Sequence, residues 1–292
     1  MNTLSDPGRF ESIRRSNLLT ALRNNPASLA GGIVIALVTL VAIAGPVLVG
    51  DPNAGALSNR LQPPSMAHPL GTDPLGRDVL SRLVYGARIT LAMAVSITLI
   101  RLIIGFVVGL LAGLFGGLVD EVLMRVVDFL LAFPGIVLAL VIAGILGPSL
   151  RNVLLALVVV GWGSYARVVR SSVLSVREEP FVDAAKLAGV SRIRLVWTHF
   201  VPNVAGPVVV LSTLDLGGVV LAAAGLSFLG LGAQPPTPEW GTMVADGSDY
   251  LRSAPWLVNV PGVAIAVVVL GFNLLGDGLR DSLDTDPTRV NR

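Results

Sequence analysis

The strongest constraint on this chain is a set of six apolar stretches, each long enough to cross a lipid bilayer. A hydrocarbon core of ~30 Å needs about 20 helical residues. The stretches fall near residues 28–50, 89–116, 119–147, 151–175, 203–230 and 256–276. At 292 residues the length alone would allow one or two soluble domains. Composition removes that option: 53% of residues are hydrophobic, 14% are charged and the mean hydropathy is +0.77. Soluble domains carry about a quarter charged residues. Too few charges remain here to coat a water-facing surface, so much of the surface faces lipid. The expected fold is an all-α membrane protein with six transmembrane helices.

Arg9, Arg14, Arg15 and Arg23 precede the first apolar run in the manner of a secretory signal. The run from Leu29 to Val49 exceeds the h-region of about 7–15 residues, so a retained first span is expected. Orientation follows from Lys and Arg, which accumulate in cytoplasmic loops. With the N-terminus inside, fourteen fall on the cytoplasmic side, among them Arg125, Arg167, Arg170, Arg177 and Lys186. Six fall outside, namely Arg60, Arg77, Arg82, Arg88, Arg151 and Arg252, and Arg101 lies within a span. Both termini are therefore expected in the cytoplasm. The chain divides into a cytoplasmic segment 1–27, a first span 28–50, an external segment 51–88, a core 89–276 and a cytoplasmic tail 277–292. Within the core lie a cytoplasmic loop, 176–202, and an external loop, 231–255. The fourth span is the softest, because Arg167 and Arg170 mark an early exit from the bilayer.

The cytoplasmic loop has a helical grammar of its own. Glu178 and Glu179 precede Pro180, which suits the first turn of a helix because its absent N–H would be unpaired there. Their charges also favour the positive end of the helix dipole. Ala184, Ala185, Lys186, Leu187 and Ala188 are good helix formers, and Gly189 is placed to end the helix. Ser191 can then cap a second helix running past Arg192 towards His199, with Pro202 at the start of the fifth span. Small residues at 184, 185 and 188 let a partner approach closely. From the physics alone, an interfacial hairpin without a partner fits equally well.

The loop also resembles a known pattern. Asp183-Ala184-Ala185, Gly189 six residues after Asp183, and Pro202 match the spacing of the EAA loop of ABC-importer permeases, with Asp183 in place of the usual Glu. His199 and Val201 depart from the general pattern, which has Ile and Leu there. His199-Phe200-Val201-Pro202-Asn203 is similar to the dipeptide/oligopeptide/nickel permease family. His68-Pro69-Leu70-Gly71-Thr72-Asp73, Gly76-Arg77-Asp78, Ser81-Arg82, Tyr85-Gly86-Ala87-Arg88 and Leu91 resemble the segment before the second span of its C-type subunit. Ser227-Phe228-Leu229-Gly230-Leu231-Gly232, Pro235-Pro236 and Trp240-Gly241 resemble its fifth span and external loop. Asn273-Leu274-Leu275-Gly276-Asp277 and Leu279-Arg280-Asp281 resemble its C-terminus. The ordered set covers most of residues 65–285.

The resemblance implies a type I ABC-importer permease fold in a bacterial plasma (inner) membrane, working by alternating access between two rigid halves. Residues 178–195 would be the coupling helix region that docks on an ATPase, with Glu178, Glu179, Asp183, Ala184, Ala185, Lys186, Gly189 and Arg192 as its contacts. The implied partners are a homologous second permease subunit, two ABC ATPase subunits (identical, or one of each of two types) and an extracytoplasmic substrate-binding protein. The implied cargo is di- or oligopeptides, with nickel, opines or sugars as alternatives. No cofactor is expected on this chain, since ATP and Mg would be used by the partner ATPases, and no nucleic-acid partner is expected. A P-loop reads G-x-x-x-x-G-K-[ST], and the sole lysine, Lys186, has no such frame before it.

Arg101 and Asp215 fall near the middle of spans two and five, at similar depth. A charge at the bilayer centre costs roughly 2.5–3.5 kcal/mol on insertion scales and usually turns inward to a partner. They are expected either to pair or to line the pathway; a position nearer an interface, with snorkelling, is the alternative. Asp128 lies three residues from Arg125, so a local ion pair is expected there. Pro134 is expected to kink the third span. Trp256 reads as part of the interfacial aromatic belt, and Trp240 is open between belt and loop contact. His68, Asp73 and Asp78 offer one imidazole and two carboxylates in a Pro/Gly-rich segment, where a structural role is expected over a metal site. The chain has no cysteine, which excludes disulfides and thiolate chemistry. Two histidines in different compartments leave no Ser/His/Asp constellation. A gated channel or an intramembrane enzyme would accommodate six spans but leaves the loop at 177–203 unexplained.

Overall fold

The computed structural model describes residues 25–284, which are helical apart from connecting loops and two isolated bridging pairs. Arg9, Arg14, Arg15, Arg23 and the residues beyond Asp284 lie outside the described residues. The long helices are α1 (Pro26–Ala44), α2 (Val79–Phe115), α5 (Leu150–Arg177), α8 (Val201–Phe228) and α10 (Trp256–Asp284). Between them lie α3 (Gly117–Leu131), α4 (Gly135–Leu146), α6 (Pro180–Leu187), α7 (Arg192–Leu195) and α9 (Trp240–Ser248). Among the described residues, five helices are long and apolar enough to cross a membrane, or six spans if the bent pair α3–α4 counts as one.

That pair occupies the expected third span at 119–147. The kink expected at Pro134 is a sharp one, the two halves meeting at 85°. Pro134 is the cause: it lacks an amide hydrogen and its ring disfavours helical backbone at the preceding residue. Its carbonyl then accepts from Val137 and Leu138 and starts α4 afresh. Other helices also depart from their expected limits, the first ending at Ala44 and not near residue 50. The second helix begins at Val79, not near residue 89, because the Asp78 side chain accepts from Ser81 N and caps it there. Arg167 and Arg170, expected to mark an early exit from the bilayer, lie in the second half of α5, which is unbroken from Leu150 to Arg177. Pro202 lies in the first turn of α8, as expected; a π-helical turn, Val196–Phe200, joins α7 to it, and the Asn203 side chain donates to the His199 carbonyl at 2.7 Å.

The most extensive helix contact joins α2 to α5. Gly105, Gly109 and Gly113 recur every fourth residue along α2 and are all buried. A Cβ on any of them would collide with Tyr165, Ala166 or Val173 of α5. Lipid offers no hydrophobic drive for helix pairing, so close packing along small residues takes its place. On the opposite flank α1 lies along α10, where Gly31 meets the backbone of Gly271 and Leu275.

The segments 51–78 and 231–255 close one face of the bundle. Trp240 is buried and its Nε1 donates to the Leu83 carbonyl at 2.9 Å. Arg82 reaches the carbonyls of Pro52 and Pro236, both at 3.4 Å. Trp256, expected as a belt residue, is half-buried and donates to the Thr72 carbonyl at 3.3 Å. We call this the cap face and the opposite one, carrying residues 178–200, the hairpin face.

Candidate functional site

Inside the bundle, α2, α5 and α8 bring three polar side chains together. Arg101 Nη1 donates to both carboxylate oxygens of Asp215, at 3.0 and 3.1 Å. Tyr165 donates its hydroxyl to Asp215 Oδ2 at 3.0 Å. The remaining Arg101 contacts go to α5, where Nε and Nη2 donate to the Leu157 carbonyl at 2.9 and 2.7 Å. Gly161 makes the guanidinium possible, because a Cβ there would occupy the same space. Gly161 and Tyr165 escaped the sequence reading; a glycine one turn from a partner helix's arginine is a weak signal without the contact map. The cluster borders a cavity of about 340 Å³ that also reaches the α3–α4 break through Leu131, Phe133, Gly135 and Ile136.

At the hairpin face, Glu178 ends α5 and Glu179 occupies the N-cap position of α6, with Pro180 in its first turn. Neither glutamate makes a capping side-chain bond; both are exposed. Gly189 ends the helix at φ 75°, a left-handed conformation open to glycine at little cost. Val190 N then reaches the Ala185 carbonyl at 3.1 Å, and Ser191 Oγ accepts from Arg194 N at 3.4 Å. Val182 alone of the α6 side chains is fully buried, against Val169, Val173, Leu195, Phe200, Val204 and Val208. That anchor turns Asp183, Ala184, Lys186, Leu187 and Ala188 outward, with Ala185 half-buried. Lys186 and Asp183 pair at 2.9 Å across one turn. The side chain of Arg192 lies outside the described residues. Phe181 and His199, 5.3 Å apart between ring centroids, link the two arms. Leu187, Ile193 and Trp197 are exposed here, an apolar rim that a helix-grammar reading does not reveal.

Two further ion pairs tie α3 to α5. Arg170 grips Asp120 through both Nε and Nη2, the latter at 2.6 Å from Oδ2. Arg167 Nη2 donates to Asp128 Oδ1 at 2.7 Å. The expected Arg125–Asp128 pair is thereby corrected: Asp128 turns to α5 and Arg125 lies 4.0 Å from Glu121, one turn back. These pairs also explain why Arg167 and Arg170 stay within the helix.

On the cap face His68 Nδ1 and Asp78 Oδ1 are 3.1 Å apart, while Asp78 Oδ2 caps α2. Asp73 instead joins Arg77 Nε at 2.6 Å and Arg82 Nε at 3.7 Å. The three candidate ligands are thus committed to two different structural tasks. Asp246 on α9 lies by the same arginines; burial pushes its carboxyl above the usual carboxylate range, against the opposing pull of Arg82 and Arg77.

A bundle of long apolar helices with a bent helix pair, a buried charge cluster and an exposed helical hairpin between two spans is that of a polytopic membrane protein. Residues 105–288 match the family described as binding-protein-dependent transport system inner membrane component, and residues 17–64 match the N-terminal TM domain of oligopeptide transport permease C. The chain belongs to the first of these families and is a multi-pass protein of the bacterial inner membrane. Among its relatives, the dipeptide transport system permease protein DppC of Alkalihalophilus pseudofirmus is 47% identical, over 90% of this chain and 87% of that one. DppC of Escherichia coli is 45% identical over 90% of each chain. The di/tripeptide transport system permease protein DppC of Pseudomonas aeruginosa is 40% identical over 96% and 95%. The fold is that of the inward-facing MetNI methionine ABC transporter, with TM-score 0.54 and 20% identity over 68% of this chain and 95% of that one. It is also that of an amino acid ABC transporter, with TM-score 0.54 and 15% identity over 68% and 94%.

Proposed function

We propose that this chain forms half of the translocation pathway of an ATP-driven importer for di- or oligopeptides. The observation that carries the reading is the outward face of α6. Val182 pins the helix to the ends of α5 and α8, leaving Asp183, Ala184, Lys186 and Ala188 bare around small residues that a groove on another protein can approach closely. The docking element is Glu178, Glu179, Asp183, Ala184, Ala185, Lys186, Gly189 and Arg192, facing two ATPase subunits in the cytoplasm. With the hairpin face inside, both termini lie in the cytoplasm and the cap face meets an extracytoplasmic binding protein. A homologous permease completes the pathway, and Arg101 and Asp215 line this chain's half. ATP and Mg belong to the ATPases.

The peptide cargo is supported by the names of the relatives, which are dipeptide and di/tripeptide transport permeases. The deciding experiment reconstitutes the chain with its partners in proteoliposomes and follows uptake of labelled alanyl-phenylalanine. Uptake is expected to require ATP, and Ala184→Arg on α6 is expected to abolish both uptake and co-purification of the ATPases. Uptake that proceeds without ATP, or a permease that retains no ATPase, would sink the reading in favour of a channel.

A further inference from the structure

We propose that the cavity at the α3–α4 break is a subsite for the positively charged amino terminus of the transported peptide, held by the carboxylate of Asp215. The inference rests on the peptide-import reading above and assigns chemistry to one end of the cargo.

Arg101 and Asp215 are not equivalent. The arginine is buried, with 9% of its side chain exposed, and four of its five N–H donors are taken by the Leu157 carbonyl and by Asp215 itself. Both side chains border the cavity, but the aspartate is the more open of the two, with 23% of its side chain exposed. The accessible member of the pair is therefore the acid, which suits a cationic ligand and not an anionic one. An ionised carboxylate offers about four acceptor sites. Oδ2 takes Arg101 and Tyr165, whereas Oδ1 takes Arg101 alone, leaving acceptor capacity for an ammonium.

The rest of the wall sets the size and character of the ligand. Phe133 and Ile136 from the broken span and Leu211 from α8 are apolar, and Ser164 adds a hydroxyl. A volume of about 340 Å³ sits at the lower end of the ~300–1,000 Å³ range of small-molecule sites. That is room for a terminal residue, not for a long peptide. Secondary transporters place substrate sites beside discontinuous spans of this kind. Tyr165 is a positioning residue: its hydroxyl, together with Arg101, fixes the carboxylate that meets the ligand.

The test uses the assembled transporter in lipid nanodiscs without its binding protein, so that selectivity measured is the membrane complex's own. Binding of alanyl-phenylalanine is compared with that of its N-acetyl derivative by equilibrium dialysis. The wild type is expected to prefer the free amine by roughly 10- to 100-fold, the range of a charge-assisted hydrogen bond. Asp215→Asn is expected to abolish the preference, and Tyr165→Phe to reduce it roughly 3- to 10-fold. Equal affinity for the two peptides, no binding of either, or a preference that survives Asp215→Asn overturns the proposal. Should Asp215→Asn fail to assemble, the two-peptide comparison in the wild type decides alone. ATP-dependent uptake by a wild type that shows no preference would leave peptide import standing and remove only the subsite.

Discussion

Arg101–Asp215 and Arg167–Asp128 are the same chemical pair, each joining two helices of one bundle, yet they sit in opposite environments. The second contact is the shorter, 2.7 Å against 3.0 Å. Its side chains are 55% and 59% exposed, however, where those of the first are 9% and 23%. Geometry alone would rank them wrongly. Water screens the exposed pair, and holding two long side chains still offsets most of its attraction. The interior pair has far less solvent to fall back on, so its members depend on one another, on Tyr165 and on the Leu157 carbonyl. What separates them is the cost of leaving a partner behind.

The largest expected effect follows from that cost. Arg101→Ala strands the Asp215 carboxylate and should destabilise the protein by about 3–5 kcal/mol, read from unfolding of the purified complex. Arg101→Met with Asp215→Leu removes both charges and should cost far less. If the double variant is no more stable than Arg101→Ala, the contrast drawn here is wrong. Reversing both charges should likewise restore transport lost in either single reversal.

Glu239 sharpens the comparison, because it is a buried carboxylate satisfied by backbone in place of a cation. It is fully buried, caps α9 through Gly241 N and Thr242 N at 3.0 Å each, and accepts from Thr90. Glu239→Ala should cost about 1–3 kcal/mol for the unpaired donors and the lost cap. Glu239→Gln should recover only part of that, since its one amide oxygen can accept from Gly241 N or Thr242 N while its NH2 must face the other donor; a glutamine variant as stable as wild type would contradict the two-oxygen cap. Asp246 tests the same idea through pH. Its folded-state pKa is raised, so its contribution to stability is present below the unfolded value of about 3.9 and is lost as pH rises through the folded one. Asp246→Asn should therefore be more stable than wild type at pH 7, with the difference shrinking towards pH 4 in melting curves. The smallest effect is expected from Arg167→Gln, within about 1 kcal/mol of wild type. A loss as large as that of Arg101→Ala would show that solvent does not screen this pair.

The sequence exposes the spans and the hairpin because both are local: apolar runs of sufficient length, a proline that opens α6 and a glycine that closes it. It also places Arg101 and Asp215 at a common depth. What stayed hidden depends on which helices become neighbours. Asp128 has Arg125 three residues away and Arg167 thirty-nine away, and only the packing of α3 on α5 selects the distant one. The spacing of Gly105, Gly109 and Gly113 was available as a close-packing signal, but its partner helix was not. Pro134 announced a change of direction without its size, because the angle is set by what α4 packs against. Trp240 could belong to a belt or to a loop until the Leu83 carbonyl chose between them.

The unbroken course of α5 carries a mechanical consequence. One rigid rod bears the hairpin at its end, the arginines that hold α3 in its last turns, and the Leu157 carbonyl that steadies Arg101 further along. From Leu157 to Arg177 the rise is about 30 Å. A tilt of only about 5° would then sweep one end past the other by between 2 and 3 Å, roughly the length of a hydrogen bond. A nudge at the tip is thus also a change of grip in the middle, with α5 as the lever arm between them.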